Sequence, residues 1–415
     1  MPRALAVPSA PTRDLGAVCL GIAATVLPGF LLGSLFVEMG PDLGYSESMS
    51  GLLIASFFGV SAVLSAPFGR WVDRRGAAFT LRVALLLSAI VQAAIWIGGR
   101  TMWIVAGMAV VAGAANALMQ VSANVWIAHN IGSSRQGLAF AVKQSSMPAA
   151  ALVAGLALPT LAQEYGWRSA FACGVALSLA SLALLGSSAD EHGPAPLTET
   201  VALADERVAR SALRSLAVAA ALSSGAAVTL GGFFVNSAVD STMAKGTAGM
   251  ALAAGSLISI ASRLTAGAWA DRRTGTLLGL VAAMLALGAV SYLCFAIGTP
   301  LAHLVGLPLA FGAGWAWPGV FNLSVLRARL TDPGRATGIT QSGTYVGASC
   351  GPLLFGVIAQ HVGFTAAWIV ASGIGVGAAL AVLNARRVLN GFSSRQAGET
   401  VRSGPSELAA QAPAH

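Results

Sequence analysis

Charge is scarce in this chain. Asp, Glu, Lys and Arg make up 10% of its 415 residues, while 56% are hydrophobic. A water-soluble domain carries about 25% charge, so an ordinary soluble fold is excluded. Cysteine is rare as well. Cys19, Cys173, Cys294 and Cys350 each sit inside an apolar stretch, with neither a framework of pairs nor metal-ligand spacing. The five histidines are scattered, and no His-Glu-x-x-His run or nucleophile–base pattern occurs. No catalytic residue, metal ion or cofactor is therefore expected, and the chain does not read as an enzyme. One further shortage matters: no Asp or Glu lies in the middle of a long apolar run. A carrier of cations would want a buried acid there.

The apolar runs themselves are long enough to cross a bilayer, which takes about 20 residues each. They fall near residues 15–37, 48–70, 77–97, 102–128, 136–164 and 167–185, then 213–236, 246–270, 276–297, 301–327, 335–360 and 364–385. The expected fold is an all-α membrane protein of twelve transmembrane helices in two pseudo-symmetric six-helix halves. A tail (1–14) precedes the first half (15–186), a polar linker with Pro194 and Pro196 (187–212) leads to the second half (213–388), and a second tail follows (389–415). The first run exceeds a signal-peptide core and no clear cleavage site follows, so it reads as a retained helix.

The net charge of +8 could point to nucleic acid, but the basic residues are confined to short loops. Arg74, Arg75, Arg135, Arg207, Arg210, Arg214, Arg272, Arg273, Arg327, Arg329, Arg335, Arg386 and Arg387 fall on one side, against Arg100, Arg168 and Lys245 on the other. The positive-inside bias puts the richer side, and both termini, in the cytoplasm. Expected partners are the lipid bilayer of a plasma (bacterial inner) membrane and a small-molecule solute, with no nucleic acid and a monomeric chain.

The two halves repeat. Leu32-Gly-Ser-Leu-Phe-Val-Glu38 matches Leu230-Gly-Gly-Phe-Phe-Val-Asn236 at a shift of 198, which also pairs Asp42 with Asp240, Asp73 with Asp271 and Asn124 with Asn322. After the loop beyond the fourth span the shift becomes 197 and pairs Gln144 with Gln341. Six spans per copy give both copies the same orientation, so the halves are related by an axis along the membrane normal. A charged hinge recurs in step: Gly69-Arg-Trp-Val-Asp73-Arg74-Arg75-Gly76 and Gly267-Ala-Trp-Ala-Asp271-Arg272-Arg273.

That hinge resembles the loop signature of the major facilitator superfamily, and the likeness covers about residues 15–388. The resemblance implies transport by alternating access. It also implies a gating role for Asp73, Arg74 and Arg75 against the start of the eleventh helix near Gly334, and for Asp271, Arg272 and Arg273 against the start of the fifth near Ser134–Gly137. Departures bear on the cargo. Ala109 stands where the drug exporters of that family often carry arginine. Their Gly-Pro signature is missing from the fifth helix, while Gly351-Pro352 appears in the eleventh.

Two cations sit inside spans. Lys143 lies eight residues past Arg135, and Arg263 eight before Asp271, so each is roughly 12 Å along its helix from the hinge side. Neither repeats, since Lys143 pairs with Thr340 and Arg263 with Ser65. The family sets the fifth and eighth helices against each other across its central cavity, and Arg263-Leu-Thr-Ala-Gly267 resembles the eighth helix of monocarboxylate and oxalate carriers. A small organic anion is the expected cargo. A drug or metabolite exporter and a non-transporting sensor are the alternatives. Lys143 could instead snorkel to the surface, and Arg263 could brace Asp271 or a helix end.

Further cavity candidates, on the helices that line the path in that family, are Phe30, Ser34, Asn116, Gln120, Asn124, Thr229, Asn236, Trp315, Trp317 and Asn322, joined by Gln144, Gln341 and Tyr345. Trp315 and Trp317 lie two residues apart and cannot share a face, so at most one is expected at the substrate. Asn124 and Asn322 are twins and could be structural. Glu38, at the outer end of the first span, reads either as a proton-coupling site or as a solvated helix-end acid.

Overall fold

The computed structural model describes residues 10–131, 136–185, 206–273, 275–328 and 333–402. These residues hold twelve helices long and apolar enough to cross a membrane, and no strand. They are α1 (Arg13–Ser34), α2 (Glu47–Arg75), α3 (Ala77–Gly98), α4 (Met102–Ile127), α5 (Val142–Tyr165), α6 (Trp167–Leu184), α7 (Arg207–Asp240), α8 (Lys245–Ala270), α9 (Leu278–Ala296), α10 (Pro300–Val325), α11 (Gly338–His361) and α12 (Phe364–Gly391).

Helix ends follow local chemistry. α2 stops at Gly76, whose φ of 85° suits glycine, and its last turn carries Arg74 and Arg75, which oppose the negative end of the helix dipole. Thr101 and Thr299 cap the starts of α4 and α10 by accepting from Ile104 and Ala302 backbone N–H. Two helices are broken by π turns, α5 over Leu158–Ala162 and α10 over Ala310–Gly314.

Packing repeats between halves. α1 contacts α5 and α6 as α7 contacts α11 and α12, α2 contacts α4 as α8 contacts α10, and α3 contacts α6 as α9 contacts α12. The halves meet along α2 with α11, α5 with α8, and α1 with α7. Glycine lets backbones approach there: a Cβ on Gly33 would overlap Gly232, one on Gly51 would overlap the carbonyl of Pro352, and one on Gly155 would overlap that of Gly249. These approaches lie toward the end of the bundle opposite the Asp73 hinge.

In the second half a buried chain of hydrogen bonds ties three helices. The carbonyl of Thr299 can only accept, so His303 Nδ1, 2.9 Å away, carries the proton. His303 Nε2 then accepts from Ser237 at 2.9 Å, and Ser237 accepts from Trp368 Nε1 at 2.7 Å.

The bounds differ from expectation in two places. The helix containing α7 starts at Glu206, inside the expected linker, whose residues 187–205 lie outside the described residues. The last helix runs Phe364–Arg402, into the expected second tail. Residues 1–9 and 403–415 also lie outside the described residues.

Candidate functional site: a cavity between the halves

A cavity of about 80 Å³ lies between the halves. Lys143, Gln144, Arg263, Trp315, Asn322, Gln341 and Tyr345 border it, together with Asn116, Gln120 and Trp317. The structure thus brings the two unmatched cations to one space, one from each half. Asn124 does not border the cavity, but its Oδ1 accepts from Lys143 Nζ at 2.6 Å. Phe30 backs the site through an edge contact with Trp315, ring centroids 5.7 Å apart.

Arg263 is held by two backbone carbonyls. Nη1 donates to Gln144 across the half interface, and Nη2 donates to Trp315 at 2.5 Å. Both acceptors are free for a reason written in the chain. Gln144 lies four residues before Pro148, which has no N–H to return to that carbonyl. Trp315 lies in the break of α10, after the π turn and before Pro318, and precedes the first helical bond, which Trp317 accepts from Phe321. A guanidinium so anchored is fixed in position without losing its charge.

Lys143 is 7% exposed and Arg263 4%. Among the described residues neither is seen in an ion pair. Among the described residues no carboxylate borders the cavity. Neutral partners offset part of the desolvation of two buried cations, yet the site keeps a positive field. Neither cation snorkels, and the Arg263 guanidinium braces free backbone carbonyls in α5 and at the break of α10, as the helix-end alternative expected.

The expectation that at most one tryptophan reaches the site is not met, since both residues border the cavity, although their rings pack apart. The Trp315 ring packs on Phe30 and Phe311, and that of Trp317 on Phe321 in a separate apolar cluster. Both border the cavity because the helix is broken between them. Tyr345 contacts Gln341 and, across the halves, Ser65, the position that answers Arg263 in the repeat. Met147, Ser224 and Thr344 also line the cavity and have no distinguishing sequence signal. Ser34, Thr229 and Asn236 lie elsewhere; Asn236 borders a groove at the opposite end.

At that end the halves are pinned together. Glu38 Oε1 lies 3.0 Å from Lys245 Nζ, one residue from each half, and Gln360 accepts from the backbone N–H of Ser48 at 3.2 Å. The carboxylate read from sequence as a proton site or a solvated acid is therefore an ion-pair partner. Nearby, Asp42 accepts from Trp167 at 2.8 Å and from Arg168 at 3.0 Å, tying loops of the first half.

At the hinge end Asp73, Arg74 and Arg75 are exposed, as are Arg272 and Arg273. Arg273 lies 4.9 Å from the Trp269 ring. The side chain of Asp271, and those of Gly334 and 134–137 that the hinges were expected to meet, lie outside the described residues. Arg327 donates to the carbonyl of Ala270 at 3.3 Å and so covers the end of α8.

The sequence profile of the Major Facilitator Superfamily matches residues 18–328 and again 216–409. The chain belongs to this superfamily. Solved structures agree on the fold. A bacterial homologue of the human drug peptide transporters PepT1 and PepT2 superposes with a TM-score of 0.71 at 15% identity, over 92% of this chain and 98% of that one. A bacterial homologue of the human lysosomal transporter Spinster, inward-facing and unoccupied, superposes with a TM-score of 0.67 at 14% identity, over 92% and 97%. No curated protein matches by sequence. This facilitator is an integral membrane transporter of small molecules and not an enzyme.

Proposed function

We propose that this facilitator carries a small organic anion by alternating access, with Lys143 and Arg263 as the groups that hold it. One observation carries the reading: two buried cations, one from each half, border a single cavity that no carboxylate among the described residues borders. A charge at mid-membrane costs about 2.5–3.5 kcal/mol on insertion scales, and a carboxylate would return charge-assisted hydrogen bonds to both. An anion bound between the halves also gives them a reason to close on each other. Gln144, Gln341, Asn322, Tyr345 and Trp315 complete the wall, and Asn124 positions Lys143.

The basic-rich end is read as cytoplasmic, with both termini there and the protein in the plasma membrane. The glycine approaches and the Glu38–Lys245 pair hold the halves together at the other end. The test is exchange in proteoliposomes: load a panel of unlabelled carboxylates and follow entry of labelled ones. Lys143→Gln and Arg263→Gln should each abolish most exchange. Exchange of cations or neutral solutes alone, or full activity in both variants, would overturn the reading.

A further inference from the structure

Three buried polar atoms on cavity residues have no partner. Arg263 Nε and Trp317 Nε1 are donors without an acceptor, and Asn116 Oδ1 is an acceptor without a donor. Arg263 borders the cavity from α8 and Asn116 from α4, and so these two face it from different halves.

The orientation of the Asn116 amide is dictated by its neighbours. The Ser61 hydroxyl lies 2.8 Å from the carbonyl of Gly113 and 3.0 Å from that of Phe57. Carbonyls only accept, so its single proton goes to one of them, and toward Asn116 it can only accept. The atom 3.1 Å from Ser61 is therefore the amide nitrogen, which leaves the oxygen over. Asn116 is 1% exposed, and a buried acceptor left unpaired is costly. The repeat offers no structural excuse, since the answering position, 314, is Gly.

We infer that the carried anion also bears a hydroxyl group, which donates to Asn116 Oδ1 while its carboxylate sits on Arg263 and Lys143. A hydroxycarboxylate is thus the substrate class. An ammonium in place of the hydroxyl would be repelled by the two cations, and no carboxylate among the described residues of the cavity wall would offset that. This inference rests on the anion reading above but fails separately from it.

Matched pairs decide it: glycolate against acetate, lactate against propionate, malate against succinate. Equilibrium binding to the purified wild-type carrier, followed by thermal shift, should favour the hydroxy acid of at least one pair by about tenfold or more. Asn116→Ala should bring that ratio near one. Equal binding within every pair overturns the inference and leaves the anion reading standing. A preference that survives Asn116→Ala also overturns it, as does binding of none of the six. If Asn116→Ala does not fold, the wild-type ratios still decide.

Discussion

Removing one charge from the Glu38–Lys245 pair should loosen the seal at the end opposite the hinges. The two charged atoms stand 3.0 Å apart, which in a medium of effective dielectric near 20 would be worth about 5 kcal/mol. That figure needs a large discount. The lysine side chain is 39% exposed and the glutamate 27%, and partly solvated pairs measure roughly 0.2–1 kcal/mol. Taking the upper half of that range, loss of the pair shifts the open–closed equilibrium about two- to fivefold. Spin labels at Tyr165 and Val362, both exposed at this end and on different halves, would report it by pulsed dipolar distance measurement. Glu38→Gln should enlarge the long-distance population by that factor, Lys245→Gln should do the same, and the double variant no more than either. High salt should shrink the difference. Equal distance distributions in all four proteins, or single effects that simply add, would show that this ion pair does not hold the gate.

Other consequences can be checked alongside. Pro148→Ala gives α5 an N–H that claims the Gln144 carbonyl, so Arg263 loses an anchor; melting temperature should rise while anion exchange falls several-fold. Gly347→Val would drive a side chain into the carbonyl of Ala221 on α7, and overpacking of about 1–3 kcal/mol should lower the melting temperature. Tyr45 is half-buried, but its hydroxyl is fully buried and unpaired, and burial pushes its phenol pKa up; Tyr45→Phe should leave stability unchanged or raised, since an unsatisfied group is removed. Asp73→Asn and Asp271→Asn should slow transport and favour the inward-open state; unchanged kinetics in both would remove the hinges from the gating account.

Much of this carrier is readable from its chain because lipid restricts the menu. Backbone polar groups must be satisfied within a span, so long apolar runs can only be helices, and a fixed shift between copies reveals the halves. Lys143 and Arg263 stand out for the same reason, as charges are too costly in a span to be incidental. What was missed depended on contacts between distant positions. Nothing in the sequence joins Glu38 to Lys245, which are not twins. The role of the Gln144 carbonyl was recoverable, since Pro148 four residues on strips it of its donor. The break in α10 was equally signalled by Gly312, Gly314 and Pro318 around Trp315 and Trp317. The early start of the helix containing α7 was hidden by its charges: Arg207 and Arg210 drew the segment into a linker, although Ala209, Ala212, Leu213 and Leu216 form one buried stripe.

The claim on which the rest depends is that fixed positive charge in the cavity selects the cargo. Equilibrium binding of a carboxylate and its uncharged amide isostere to the same purified carrier tests it most directly. The account predicts that the carboxylate binds, that the amide binds at least about tenfold more weakly, and that Arg263→Gln erases the difference. Equal binding of the two in the wild type, or a difference untouched by Arg263→Gln and Lys143→Gln alike, would contradict it.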